Sequence, residues 1–150
     1  MSNLLPIDFA KKEVGYVEGV ANANKYSKDL GRPAESWCCD FVVWCYKQAG
    51  LLAHVDNTAS VIQMHNWAKV NGLLVQTSQV RANDLVTFDW SGTGVPEHIE
   101  IAVGWNGATH LIDTVGGNTG NGGNQSNGDG VYLKHRAPSL VYSIIRPKGN

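Results

Sequence analysis

The spacing of apolar residues changes once along this chain, and that change restricts the folds open to it. Up to residue 72 the apolar positions recur at helical intervals, whereas from residue 84 onward they form short runs of strand character. Residues 5–14 predict a first short helix, with Phe9, Ala10, Glu13 and Val14 at helical spacings and Gly15 ending it. Residues 22–36 are polar, contain Gly31 and Pro33, and predict a loop with a turn of helix around residues 25–29. Residues 37–49 predict a buried helix that Gly50 terminates and for which Ser36 is the expected cap. Ser60 begins another helical pattern carrying Ile62, His65, Trp67 and Ala68, and Asn71-Gly72 closes it. Strands are predicted over residues 84–90, 98–103, 108–115, 131–135 and 141–146, with Asn106-Gly107 as a hairpin turn and residues 116–130 as a glycine- and asparagine-rich loop. Helices first and strands afterwards predict an α+β fold, N-terminal helices packed on a C-terminal antiparallel β-sheet. At 150 residues, a single domain over 1–150 has room for a substantial core.

The net charge of -1 and the lack of a basic run argue against nucleic acid as a ligand; a neutral or modestly charged polymer fits better. Three cysteines cannot all pair within one chain, and no Cys-x-x-Cys spacing suggests zinc, so a disulfide scaffold is not expected. The thiols point to synthesis in a reducing compartment. Residues 1–30 lack a basic stretch followed by an apolar run, so no signal peptide is expected. No apolar stretch approaches about twenty residues, and no membrane insertion is expected.

The segment Trp37-Cys38-Cys39-Asp40-Phe41-Val42-Val43-Trp44-Cys45 carries the chemistry. A helix start favours negative charge, so a cysteine placed there is suited to act as a thiolate. Successive residues differ by about 100 degrees around a helix, so Cys38 and Cys39 face different ways. Cys38 shares a face with Phe41, Val42, Cys45 and Ala49, while Cys39 turns toward Val43 and Tyr46. That geometry makes Cys38 the candidate nucleophile; the bland alternative is a small core hydrophobe, which is the expected role of Cys39 and Cys45.

A thiolate needs a base and an orienting group. Among five histidines, His98 follows the turn-rich Ser91-Gly92-Thr93-Gly94-Val95-Pro96 and opens a strand, at a sheet rim where a loop can admit substrate. His54, His65, His110 and His135 have no such setting and are expected to be structural or exposed. Asn118 is the first candidate to hold the imidazole, since an amide oxygen can accept its N–H. Asp113 and Glu100 are the charged alternatives, and strand alternation puts Glu100 on the same side as His98 with Ile99 and Ile101 opposite.

Taken in order, these segments resemble the CHAP family of cysteine, histidine-dependent amidohydrolases and peptidases. The matching pieces are Gly15-Tyr16-Val17-Glu18, Asn22 with Lys25-Tyr26, Trp37 through Trp44, and Gln48-Ala49-Gly50. They continue with Asn83-Asp84-Leu85-Val86-Thr87-Phe88, where Asn83 replaces a glycine, with His98 through Gly104, with Gly116-Gly117-Asn118, and with Arg146-Pro147. The resemblance covers nearly the whole chain and implies a papain-like α+β fold. It implies Cys38 as nucleophile, His98 as general base, and cleavage of an amide bond in bacterial peptidoglycan by an amidase or endopeptidase through a thioester. The pattern breaks at Gly116, where many relatives carry the glutamate that orients the histidine; Asn118, Glu100 or Asp113 must then serve. Some phage lysins of this family bind calcium before the cysteine, but residues 21–36 offer only Asp29 and Glu35 as carboxylates, so no metal and no other cofactor is expected.

The functional expectation is therefore a monomeric, phage endolysin-like peptidoglycan hydrolase, made in the bacterial cytoplasm and acting at the cell wall after release. Delivery as an antibacterial effector, with an immunity protein as partner, involves the same chemistry. A non-catalytic wall-binding module of the same fold is the alternative from a different class, motivated by Gly116.

Overall fold

A computed structural model describes residues 4–120 and 128–150. Four α-helices come first: α1 (Pro6–Lys12), α2 (Lys25–Asp29), α3 (Cys38–Gln48) and α4 (Val61–Val70). Six strands follow: β1 (Leu74–Val75), β2 (Leu85–Phe88), β3 (His98–Asn106), β4 (Leu111–Thr119), β5 (Gly130–Arg136) and β6 (Val141–Ile145). They form one open antiparallel sheet in the order β1-β6-β2-β3-β4-β5. The architecture is α+β, N-terminal helices against a C-terminal antiparallel sheet. None of the described helices is long and apolar enough to cross a membrane.

Helix α3 is the centre of the core. Every residue from Cys38 to Tyr46 is buried, because α1 and α2 pack on it from one side and β3 and β4 from the other. A helix enclosed this way has no solvent face to keep polar. Its one buried carboxylate, Asp40, is paired with Arg32 and accepts from Ser27 Oγ (2.6 Å). Beside it, Tyr16, Tyr26, Trp37, Phe41 and Trp44 form a contiguous aromatic cluster, with Tyr26 and Trp37 stacked at 5.3 Å. The polar edges of these rings are satisfied: Trp37 Nε1 donates to Glu18 and Trp44 Nε1 to Asp29, both at 2.9 Å. Segments scattered over residues 15–44 thus converge behind the start of α3.

The sheet separates two apolar clusters. Leu85, Ile99, Ile101, Val115 and Ile145 face the helices, whereas Val86, Phe88, Ala102, Ile112 and Ile144 lie on the other side. Asn83, which stands where the resemblance has glycine, adopts φ 73, a left-handed conformation that asparagine tolerates better than most residues. There its side chain accepts from Ile7 N (2.9 Å) and ties α1 to the start of β2.

Several boundaries differ from the sequence reading, each for a physical reason. Ser36 does not cap α3; Trp37 holds that position without a side-chain cap, and Ser36 is engaged by Asn118 instead. Strand β1 spans only two residues, too short to show any alternation. Strand β4 starts at Leu111, after a turn in which His110 has φ 59, and runs on through Gly116-Gly117-Asn118-Thr119. Composition places those four residues in a loop, because glycine and asparagine are poor strand formers. Pairing with β5 carries them into the sheet, across a bulge between Gly116 and Thr119 in which Asn118 takes φ 51. Of the expected 116–130 loop, residues 121–127 lie outside the described part.

Candidate functional site

Cys38 is the first residue of α3, and its side chain lines a groove of about 330 Å3 together with Ser36, Ser60, Val61, Ile62, Pro96 and Glu97. The amides of Cys38, Cys39 and Asp40 precede the first helical hydrogen bond, which runs from Phe41 N to Trp37 O (2.9 Å). They carry the positive end of the helix and have no intrahelical acceptor. Cys39 and Cys45 are fully enclosed, and burial pushes both thiols well above the ordinary range. The three cysteines form no disulfide with one another, and of them Cys38 alone lines the groove.

His98 opens β3 and is completely buried. Its Nε2–H donates to Glu100 Oε2 (2.9 Å). The other ring nitrogen, Nδ1, makes no hydrogen bond of regular geometry, and Cys38 is a neighbour that raises the proton affinity of the ring. Burial is the strongest single influence on the imidazole and lowers its proton affinity. The contacts with Cys38 and Glu100 together outweigh burial, and the pKa is pushed up to about 9. With Nε2 committed to Glu100, Nδ1 is the nitrogen left for the thiol.

Glu100 is enclosed and accepts four hydrogen bonds. Oε1 receives Thr114 Oγ1 (2.7 Å) and Arg136 Nε (2.9 Å); Oε2 receives His98 Nε2 (2.9 Å) and Arg136 Nη2 (2.5 Å). Burial opposes ionisation here, but the bonds and charges of Arg136 and His98 prevail and hold the carboxyl at about 2. The group is a carboxylate throughout the neutral range.

The remaining candidates sit elsewhere. Asn118 is buried and donates through Nδ2 to Ser36 Oγ (2.8 Å), so it meets the groove wall two residues before Cys38, while the ring hydrogen bond belongs to Glu100. Asp113 is engaged by His135 Nδ1 (2.6 Å) and by Asn106 Nδ2 (3.2 Å) on the outer part of the sheet. His54 contacts Lys148 O and His65 contacts Ser143 Oγ (2.8 Å); neither faces Cys38. Larger hollows exist, including one of about 480 Å3 beside His54, Trp67 and Lys148, but no cysteine lines it.

Arg136 and Thr114 have no signal in the sequence. Their relation to Glu100 depends on β4 and β5 lying beside β3 in a particular register, and no local motif encodes that. Two adjacent glycines of β4 also acquire distinct roles. A Cβ on Gly117 would come within 2.7 Å of Trp37 and Phe41, so its absence lets α3 approach the strand. A Cβ on Gly116 would fall 2.5 Å from Glu100 Oε2 and 2.6 Å from its Cγ.

Among the described residues, no group of three or more His, Cys, Asp and Glu side chains could hold a metal ion. No protein family, curated protein or solved structure matches this chain. The arrangement puts a thiol on a groove wall and a buried, carboxylate-held imidazole in its neighbourhood.

Proposed function

We propose that this chain is a cysteine-dependent amidase or endopeptidase of bacterial peptidoglycan, of the CHAP type and with a papain-like arrangement of helix and sheet. One observation carries the reading: a thiol at a helix start lines a groove and neighbours a buried imidazole whose far nitrogen is held by a carboxylate.

In this reading Cys38 sulfur attacks the scissile carbonyl carbon while His98 holds the thiol proton. The tetrahedral oxyanion is met by amides at the start of α3 and by the hydroxyl of Ser36, which Asn118 Nδ2 positions (2.8 Å). His98 donates its proton to the departing amine as the C–N bond breaks, leaving a thioester on Cys38. Water, deprotonated by His98, then adds to the thioester. The acid product leaves and the thiol is regenerated. Glu100 keeps Nε2 protonated and the ring aimed at Cys38 throughout.

The wall-binding alternative is motivated by glycine at 116; the carboxylate that Glu100 brings to the ring from β3 supports the catalytic reading instead. Endolysin and effector roles, the latter with an immunity protein, share this chemistry and differ in delivery.

The reading is tested by incubating the full chain with purified peptidoglycan and identifying released fragments by mass and by their new amino groups. New amino termini are expected: on the first stem residue for an amidase, on a later or cross-bridge residue for an endopeptidase. A folded wild-type chain that yields no new amine from walls of several chemotypes would overturn it.

A further inference from the structure

Arg136 ends β5, the strand beyond β4 from His98, and nothing in its local sequence marks it. Its guanidinium nevertheless reaches back to β3 and engages both oxygens of Glu100, Nε to Oε1 at 2.9 Å and Nη2 to Oε2 at 2.5 Å. It is 6 % exposed. The planar group lies 5.0 Å from the Trp90 ring and 5.4 Å from Phe88, and these two stacked rings lie 6.0 and 6.1 Å from the imidazole of His98. One aromatic wall therefore supports both the cation and the imidazole, with Glu100 between them.

The charged groups around His98 make the consequence specific. From α3 it meets Cys38 and from β3 Glu100, with Glu97 adjacent in the chain; β5 contributes Arg136 and, farther along, Lys134. The aromatic residues against it, Phe88 of β2 and Trp90 just beyond, are uncharged, as are Thr114 and Thr119 of β4. A buried glutamate facing an imidazolium alone forms an ion pair that resists losing its proton. An imidazole that must give a proton to a leaving amine is poorly served by such a pair.

We propose that Arg136 is a positioning residue: by gripping both oxygens of Glu100 it fixes the carboxylate against His98 Nε2 and offsets its charge, so that Glu100 orients the ring and holds its proton less tightly than an unpaired carboxylate would. This rests on the proton-transfer role given to His98 above, but its test needs no substrate.

The His98 titration midpoint, followed by NMR of the labelled imidazole, is measured in wild type, Arg136→Met, Arg136→Lys, Arg136→Gln and Glu100→Gln. Removing the cation is expected to raise the midpoint by about one pH unit or more in Arg136→Met. Arg136→Lys, which keeps the charge, returns it most of the way to the wild-type value. Glu100→Gln lowers it. A folded Arg136→Met protein whose midpoint stays within about 0.2 unit of wild type, or falls, overturns the proposal. If Arg136→Met does not fold, Arg136→Gln, which can still donate to Glu100 but carries no charge, makes the same comparison: its midpoint is expected above wild type, and an unchanged or lower midpoint overturns the proposal. A wild-type chain inert toward peptidoglycan would sink the hydrolase reading, while the role of Arg136 would still stand or fall on the titrations.

Discussion

Glu100 fills the space that a side chain at position 116 would need: a Cβ on Gly116 would sit 2.5 Å from Glu100 Oε2 and 2.8 Å from its Cδ. Strands β3 and β4 thus offer one seat for a carboxylate beside His98, and the chain fills it from β3. Gly116→Ala is expected to displace Glu100 from the ring, since the carboxylate is held on its other sides by Thr114 and Arg136. Overpacking of this kind costs about 1–3 kcal/mol of stability, readable by urea unfolding. Hydrolysis is expected to fall by more than the small folded-population loss explains. Unchanged stability and activity in Gly116→Ala would show that the seat is not tight.

Alkylation should distinguish the two adjacent cysteines. Iodoacetamide followed by peptide mapping is expected to modify Cys38, which lines the groove, well before Cys39, which is fully enclosed. Cys39→Ala is expected to keep most of the hydrolytic activity, with a stability loss of about 1 kcal/mol for the missing sulfur. Preferential labelling of Cys39 in the folded chain would reverse the assignment.

His98→Ala removes the proton-transfer group and is expected to lower hydrolysis by about a hundred- to ten-thousandfold. Glu100→Gln keeps a group that can still accept from Nε2–H and is expected to cost less, about tenfold or more. Asn118→Ala is expected to act through Ser36 and to leave the His98 titration in place, because its hydrogen bond goes to the groove wall. A larger shift of the imidazole in Asn118→Ala than in Glu100→Gln would restore Asn118 as the orienting residue.

Stability should depend on pH through the same pair. His98 is raised from 6.5 to about 9 in the folded chain, so its stabilising protonation is complete below about 6.5 and is lost as pH rises through 9. Glu100 is lowered from 4.5 to about 2, so its contribution is complete above 4.5 and is lost as pH falls toward 2. Urea midpoints of the wild type are expected to decline between pH 6.5 and 9 more steeply than those of His98→Gln. Parallel curves would contradict the raised imidazole.

What the sequence makes legible is what it encodes locally. The cysteine helix is readable because its apolar residues are contiguous and end at Gly50. The setting of His98 follows from a turn-rich segment feeding a strand, and alternation correctly puts Glu100 on its side with Ile99 and Ile101 in the helix-packed core. The choice of orienting residue is not local. Composition favours Asn118 by making 116–130 read as an irregular loop, whereas pairing with β5 draws residues 116–119 into a strand and turns Asn118 toward Ser36. Arg136 lies 36 positions from Glu100, and the reach of its side chain across β4 follows from sheet order alone.

Whether the Cys38 sulfur performs the reaction is decided by the rate at which the purified full chain clears a suspension of peptidoglycan, compared with Cys38→Ala. The wild type is expected to clear it, and the variant, folded to the same extent by circular dichroism, to be slower by about a thousandfold or more. Equal clearing by wild type and Cys38→Ala would contradict the claim that this sulfur, held beside His98 and Glu100, performs the reaction.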